Sequence, residues 1–324
     1  MNIIRKSLIT AALILHIAAL ASATNHGSMG GQILGMYTSA RILGMGNAGV
    51  AIVNDVNSVI YNPAGLRWMS GSQVQMSHVF YYMGTTFSSI SAAHNFGEDF
   101  YNLGIGCKIK YFGLEDTLRN SSGQETDTFE VKYMQYVISG AIPLKYKHSV
   151  GISLKSITEE IYKDSGNAFL FDIGWQYNFS ERKYYRMLLG NEFGVASFKN
   201  RRITEKINIF GAAVRNVGGA IATGGGSSDL PMELAVGGAH GIPRLQNLVV
   251  TWEAVTGKEA VAGLKCGVES EFQGFKARAG VIYLSNPQIT LGFGIPEENW
   301  HLDYGLFWHL DMGLAHRLSV GASF

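Results

Sequence analysis

Residues 169–179 read Phe-Leu-Phe-Asp-Ile-Gly-Trp-Gln-Tyr-Asn-Phe. Phe169, Phe171, Ile173, Trp175, Tyr177 and Phe179 fall at every second position, with Asp172, Gly174, Gln176 and Asn178 between them. Successive side chains of a β-strand point to opposite faces, so this stretch has one greasy side and one polar side. The same grammar recurs on both flanks. Val150, Ile152 and Leu154 oppose Ser149, Gly151, Ser153 and Lys155; Ala277, Ala279, Val281 and Tyr283 oppose Lys276, Arg278 and Gly280. Trp300, Leu302, Tyr304, Leu306 and Trp308 oppose His301, Asp303, Gly305 and His309, and Leu318, Val320, Ala322 and Phe324 oppose Arg317, Ser319, Gly321 and Ser323.

A water-soluble antiparallel sheet alternates too. Three features favour strands that cross a membrane. Many are about ten residues or longer, as a tilted spanning strand requires. Aromatics gather near strand ends (Phe80-Tyr81-Tyr82, Tyr111-Phe112, Tyr184-Tyr185, Trp300, Trp308), as interfacial girdles do. The final strand closes on Phe324, which resembles the terminal signal of outer-membrane barrels. Strand candidates fall near 72–83, 85–96, 100–112, 129–142, 147–158, 166–179, 206–217, 231–242, 247–256, 260–272, 274–284, 288–296, 299–309 and 315–324, with a weaker one at 186–199. Bacterial barrels usually have even strand numbers. The weaker candidate therefore reads as part of an insertion over 180–205, leaving an all-β, antiparallel transmembrane barrel of about fourteen strands. Both barrel ends are then periplasmic, and 113–128 and the Gly/Ser-rich 218–230 are external loops.

Composition agrees. Charged residues make up 16%, against about 25% in typical globular chains. Glycine is abundant, at 40 of 324 residues, yet no apolar run after the first two dozen positions is long enough for a spanning helix. Only helices and closed barrels satisfy every backbone group in lipid. Composition by itself leaves a secreted β-sandwich or soluble barrel open. At the N-terminus, Arg5 and Lys6 precede an apolar run from Leu8 to Leu20 and an Ala21-Ser22-Ala23 cleavage site, the pattern of a secretory signal over 1–23. His16 interrupts that run, which is too short for an anchor, and no cysteine follows it for lipidation. Removing Arg5 and Lys6 takes the balance from 26 basic and 25 acidic residues to 24 and 25, which leaves no footprint for nucleic acid. Cys107 and Cys266 each sit on an alternating strand and read as small packing residues.

Residues 24–70 do not alternate, whereas 71–324 do. The first segment carries Ala40-Arg41-Ile42-Leu43-Gly44-Met45-Gly46-Asn47-Ala48-Gly49-Val50-Ala51, then Asn54-Asp55, then Tyr61-Asn62-Pro63-Ala64-Gly65-Leu66. Small residues allow tight turns and close backbone approach, and Pro63 biases Asn62 towards an extended conformation. This is the make-up of a plug, or hatch, filling a lumen. The run resembles the N-terminal signature of FadL-like outer-membrane proteins, especially the PorV/PorQ branch and related uncharacterised spirochaete barrels. A second match is 212–242, "AAVRNVGG…LPMELAVGGAHGI", and a third is the closing "HRLSVGASF". The insertion over 180–205 departs from that pattern. The resemblance implies a fourteen-stranded outer-membrane barrel with its hatch in the lumen, no cofactor, and hydrophobic solutes such as long-chain fatty acids as partners beside membrane lipid. It makes Asn62, Pro63 and Ala64 the hatch motif, flanked by Asp55, Gly65 and Leu66. The PorV branch implies the alternative of service to protein secretion or cargo docking.

Other strings carry less. Gly44-x-Gly46-x-x-Gly49 matches a dinucleotide fingerprint, but that motif needs a βαβ unit and an acidic residue about twenty positions on. Plug glycines explain it better. His301, Asp303 and His309 share a polar face and are the best candidates for lumen chemistry of a barrel lipase; ordinary lumen hydrogen bonding accounts for them more simply. No HExxH, GxSxG or clustered Cys/His set occurs, so neither metal nor hydrolase chemistry is expected. Lys108, Lys110, Lys155, Arg215, Lys265, Arg278 and Arg317 fall on lumen faces, where they would meet a ligand carboxylate or hold the plug. On the lipid face each would cost about 2–4 kcal/mol.

Overall fold

The computed structural model describes residues 30–81, 85–145, 147–189, 197–224, 226–242, 248–258, 260–284, 287–309 and 313–324. The signal sequence expected over 1–23, and the first residues of the expected hatch, lie outside them. The strands, in chain order, are β1 (Ser72–Phe80), β2 (Thr86–Asn95), β3 (Gly104–Arg119), β4 (Glu125–Pro143), β5 (His148–Ile161), β6 (Asp164–Asn178), β7 (Glu181–Leu189), β8 (Ser197–Lys206) and β9 (Asn208–Gly218). They continue with β10 (Ala220–Thr223), β11 (Gly226–Asp229), β12 (Glu233–Ile242), β13 (Leu248–Gly257), β14 (Ala260–Phe272), β15 (Phe275–Tyr283), β16 (Pro287–Pro296), β17 (Trp300–His309) and β18 (Gly313–Ser323).

Fourteen of these close into one antiparallel barrel, in which β6 pairs directly with β9 and β9 with β12. Closure comes from β1 against β18, with Met76 opposite Val320 and Gln73 opposite Ser323. Alternation fixes which side of each strand faces in. Along β5, Ser149, Gly151, Ser153 and Lys155 are buried, while Ile152 is 66% exposed. Leu154 on the same strand, Ile138, Phe169 and Ile173 on its two neighbours, and Leu291 on β16 are likewise exposed. A continuous apolar belt of this size needs lipid to cover it. Ile152→Arg is expected to cost about 2–4 kcal/mol of folding stability in phospholipid vesicles, read from urea refolding; an unchanged midpoint would show that the belt does not meet lipid.

Ser72 and Phe324 are paired through two backbone hydrogen bonds at what we term the terminal end of the barrel. At that end His148 stacks on Tyr177 at 4.4 Å, Tyr177 on Phe179 at 5.1 Å, and Phe179 on Phe210 at 5.8 Å, an aromatic girdle. Tyr184 and Tyr185, expected among the girdle residues, belong to a different sheet. They lie on β7, which pairs only with β8 in a separate two-stranded sheet. The insertion expected over 180–205 is thus a hairpin leaving the terminal end between β6 and β9. The weak candidate at 186–199 spans parts of both its strands, and its residues 190–196 lie outside the described ones.

Two loop expectations need correction. The stretch 113–128 is mostly strand: β3 and β4 remain paired from Gly113↔Lys132 to Arg119↔Glu125, because antiparallel pairing continues without an apolar face once the belt is passed. The stretch 218–230 contains the hairpin β10–β11. It turns in over the far end, where Ile221 and Leu230 pack with Ile33, Leu34, Ile157 and Leu170. Burying these six apolar side chains together outweighs leaving the loop extended in water. Cys107 and Cys266 are free thiols, paired across their strands with Ala92 and Ile138, and with Trp252 and Val281.

Candidate functional site: the hatch and its seat

Residues 30–70 fill the lumen with short helical turns: Gln32–Gly35, Ala40–Gly44, Ser58–Tyr61 and Pro63–Trp68. Each turn is punctuated by its sequence. Ser39 accepts the Ile42 amide at 3.3 Å as an N-cap, and such a cap is worth about 1 kcal/mol. Asn62 caps the fourth turn, accepting the Ala64 amide at 3.2 Å, with Pro63 at its first position, where a missing N–H costs nothing. Gly46 sits at φ +64°, a left-handed conformation that glycine tolerates best.

The wall then grips each turn. Asn62 is fully buried and its Nδ2 donates to Val50 O at 2.7 Å within the hatch and to Trp175 O at 3.1 Å in β6. Gln176 Nε2 donates to Ala51 O and Val53 O at 3.1 and 3.0 Å. Ser319, Thr290 and Thr251 bind Ala40 N, Gly46 N and Ala48 O at 3.1, 3.0 and 2.9 Å. Asn95 donates to Leu66 O and Arg67 O. Strands on every side of the barrel contribute.

Charge does the rest. Glu253 of β13 is fully buried; it accepts the Gly49 and Val50 amides at 2.8 and 2.7 Å and pairs with Arg215 at 3.2 Å and Lys265 at 3.1 Å. Arg215 also reaches Glu233 at 2.5 Å and donates to the Tyr37 hydroxyl at 2.8 Å. A second network runs from Asp55 through Arg41 (2.7 Å) to Glu269 (3.3 Å), on to Arg278 (2.6 Å), and so to Asp303 (2.7 Å). Burial opposes the Arg41 charge, but Glu269 and Asp55 outweigh it and hold the guanidinium above its ordinary pKa. Burial pushes the Tyr37 and Tyr61 phenols well up, so both serve as neutral donors.

The wall is also cut to shape. A methyl group at Gly280 would lie 2.6 Å from Gly46 Cα, and one at Gly292 would lie 2.9 Å from Gly44 Cα. Gly174 faces Asn62 Oδ1 and Pro63, Gly151 faces Pro63 and Ala64, and Gly211 faces Val50. Glycines on the lumen faces of the strands therefore match the small residues of the hatch, backbone against backbone.

The residues singled out from sequence now have places. Asn62, Pro63, Ala64, Gly65 and Leu66 are buried together against β4, β5 and β6; Gly44, Gly46 and Gly49 lie against β13 to β16. Asp55 pairs with Arg41 and also caps the Asn57 amide at 2.9 Å. Lys108, Lys155, Arg215, Arg278 and Arg317 all face inward and are buried. Arg215 and Arg278 are matched by carboxylates, and Lys155 pairs with Asp172 at 2.7 Å. Lys108 donates instead to the Thr38 hydroxyl at 2.7 Å. His301 lies 3.8 Å from Asp303, whose other oxygen is taken by Arg278; the His309 side chain lies outside the described ones. Among the described residues no group of histidine, cysteine and carboxylates is arranged to hold a metal ion.

Sequence reading missed Glu253, Glu269, Glu233 and Tyr37. The signal was present for Glu253: in Thr251-Trp252-Glu253-Ala254 it shares the inward face with Thr251, a carboxylate on the lumen side of an apolar strand.

No family model matches this chain, and no curated protein matches it. Solved structures do. The toluene transporter TbuX of Ralstonia pickettii superposes with TM-score 0.61 at 14% identity, covering 90% of this chain and 99% of that one. The toluene transporter TodX of Pseudomonas putida gives TM-score 0.56 at 11% identity, covering 87% and 97%. A FadL homologue of Pseudomonas aeruginosa gives 0.53 at 11%, covering 92% and 99%. At such identities the likeness establishes a shared fold.

Proposed function

We propose that this chain is a FadL-like outer-membrane conduit for hydrophobic molecules, long-chain fatty acids foremost, and not an enzyme. On this reading residues 1–23 are a cleaved leader, 24–70 the hatch and 71–324 the barrel, with the terminal end periplasmic. The observation that carries it is a lumen stopper held to the wall by noncovalent contacts: hydrogen bonds, ion pairs and apolar packing. Such contacts break and re-form without any covalent change. The shared fold with hydrocarbon transporters supports hydrophobic cargo, and the inward lysines and arginines favour cargo with an acid group. Movement is passive: binding along the path, with the hatch rearranging.

Labelled-oleate uptake into vesicles tests the reading. Replacing Asn62, Pro63 and Ala64 together is expected to change the uptake rate by about tenfold, since several buried hydrogen bonds worth about 1 kcal/mol each are lost, while the barrel keeps its heat-modifiable mobility. No uptake by the intact protein would sink the proposal.

A second reading, a PorV-like barrel for secretion or cargo docking, is favoured by one feature. Barrels of this kind usually carry short turns on the periplasmic side, whereas β7 and β8 form a hairpin there. Co-purification with secretion components, together with absent oleate uptake, would select it.

A further inference from the structure

Positive charge is concentrated in one short stretch of the chain. Of 26 basic and 25 acidic residues, 7 and 3 fall within 181–206, which leaves 19 and 22 elsewhere. The hairpin β7–β8 built from this stretch has two parts. At its root Glu181 stands opposite Lys206 and Arg182 opposite Glu205, cross-strand pairs of opposite charge that favour this register. Beyond the register shift after Lys183 the acids stop. Tyr184 stands opposite Arg202, Tyr185 opposite Arg201, Arg186 opposite Asn200 and Met187 opposite Lys199. Neither 183–189 nor 197–204 holds a carboxylate. Adjacent positions of a strand belong to opposite faces, so Arg201 and Arg202 give each face of the ribbon a cation.

The root of the hairpin is fixed at the aromatic girdle. Phe179 donates its amide to Asn208 O at 3.0 Å, and Gly241 donates to Ile207 O at 2.8 Å, so the ribbon departs directly beyond the stacked rings of Phe179 and Phe210. Such girdles mark the boundary between hydrocarbon and water. The neighbouring turn adds charge. Lys145 and Lys147 are exposed between β4 and β5, and Asn178, at the end of β6, donates to Lys147 O at 3.0 Å. Elsewhere on the same rim the sign reverses, with Glu98 and Asp99 exposed between β2 and β3, and Glu297 and Glu298 between β16 and β17. At the far end, residues 113–132 carry five acidic and two basic side chains. The cations are thus segregated to one sector of one rim, where a general solubilising charge would be spread.

We infer that the β7–β8 hairpin docks on the anionic phospholipid headgroups of the leaflet at the terminal end, with Arg186, Lys199, Arg201 and Arg202 as the cations that recognise phosphate. β7 is nine residues long, and an extended strand of that length spans about 30 Å, so a ribbon rooted at the girdle reaches well along that leaflet. Its apolar residues favour a lipid surface over a soluble acidic chain. Tyr184, Tyr185, Met187, Leu188, Leu189 and Phe198 interleave with the cations. β7 and β8 form a sheet of only two strands, which encloses no core for them. A headgroup layer offers both negative charge and apolar depth, and tyrosine and arginine suit it through their polar tips and apolar bodies. The inference needs the apolar belt to lie in lipid, and nothing about what crosses the lumen.

The test uses the full protein in lipid nanodiscs, with a nitroxide on Asn200→Cys and with Cys107 and Cys266 replaced by serine. Collision of the label with oxygen, which concentrates in the bilayer, is compared with collision with a water-soluble nickel chelate. In discs of phosphatidylcholine mixed with phosphatidylglycerol the label is expected to favour oxygen. In phosphatidylcholine alone, or at about 1 M salt, where charges are screened beyond about 3 Å, it should favour the chelate. Each cation at an anionic surface is worth about fivefold in partition, so replacing Arg186, Lys199, Arg201 and Arg202 by glutamine is expected to lower docking by about two powers of ten. These positions lie outside the barrel sheet, so heat-modifiable mobility should be kept. A label on Ser197→Cys serves if the first perturbs the hairpin. A label that stays in water with phosphatidylglycerol present overturns the assignment, as does contact that is equal in both lipids or survives the glutamines. Capture by soluble polyglutamate with no response to phosphatidylglycerol assigns the surface to an acidic protein, and overturns it likewise.

Discussion

Glu253→Ala is expected to unseat the hatch while leaving the barrel closed. The carboxylate is fully buried, receives two hatch amides and neutralises Arg215 and Lys265. Its removal leaves two N–H groups and the Lys265 charge without compensation, and leaves Arg215 with Glu233 as its remaining carboxylate. Breaking a buried pair by deleting one partner costs about 3–5 kcal/mol. The wall is a continuous ring of antiparallel ladders that does not depend on this side chain. The cost therefore falls on the element that can leave. Amide exchange over residues 44–53 should accelerate by about two to three powers of ten, while β13 and β14 stay protected. Glu253→Gln keeps acceptors for the amides but not the charge, and should fall between. Wild-type protection of 44–53 in the alanine variant would show that the hatch is held elsewhere.

Gly280→Val is expected to have an effect of similar size through shape alone. The added Cβ would overlap Gly46 N and come within 2.6 Å of both Gly46 Cα and Met45 C. Neither side yields cheaply. Position 280 is paired on both edges, to Gly267 and Thr290, and Gly46 is locked at positive φ. Overpacking in a well-filled interior costs about 1–3 kcal/mol even where neighbours can shift, so the hatch turn should be expelled. Conductance across planar bilayers should rise from near silence to a steady leak. Gly140→Val is the control, since nothing stands near its missing side chain. Equal, closed behaviour of both variants would refute the close fit.

The barrel was largely legible in the sequence, and the seat was not, for a physical reason. A side-chain period of two is local: Phe169 to Phe179 announces its faces without reference to any other strand. The fourteen barrel strands follow from repeating that reading. Residues 30–70, whose short turns pack against the inward faces of the strands, are the stretch where the period fails. Partnerships across the lumen are another matter. Arg215 meets Glu253 only because β9, β12 and β13 stand side by side in register, and no local pattern states that Gly280 faces Gly46. The inward glycines looked like weak strand signals, whereas they are a mould. The hairpin β7–β8 misled for the opposite reason: Tyr184 and Tyr185 look like girdle residues wherever they stand, and only pairing shows that they stand outside the ring.

The path of the hatch has a consequence for assembly. Gly31 and Leu34 lie against β5 and the β10–β11 flap at the far end, whereas the same chain leaves through Gly71 beside Phe324 at the other. The polypeptide thus runs lengthwise through a tube whose seam, β1 on β18, is formed by its own continuation. Such a thread has two histories open to it: the staves close around it, or its free end is drawn through the finished pipe from one mouth to the other. In the first, the stopper acts as the mandrel on which the wall is wound, and a badly shaped stopper spoils the winding as well as the seal.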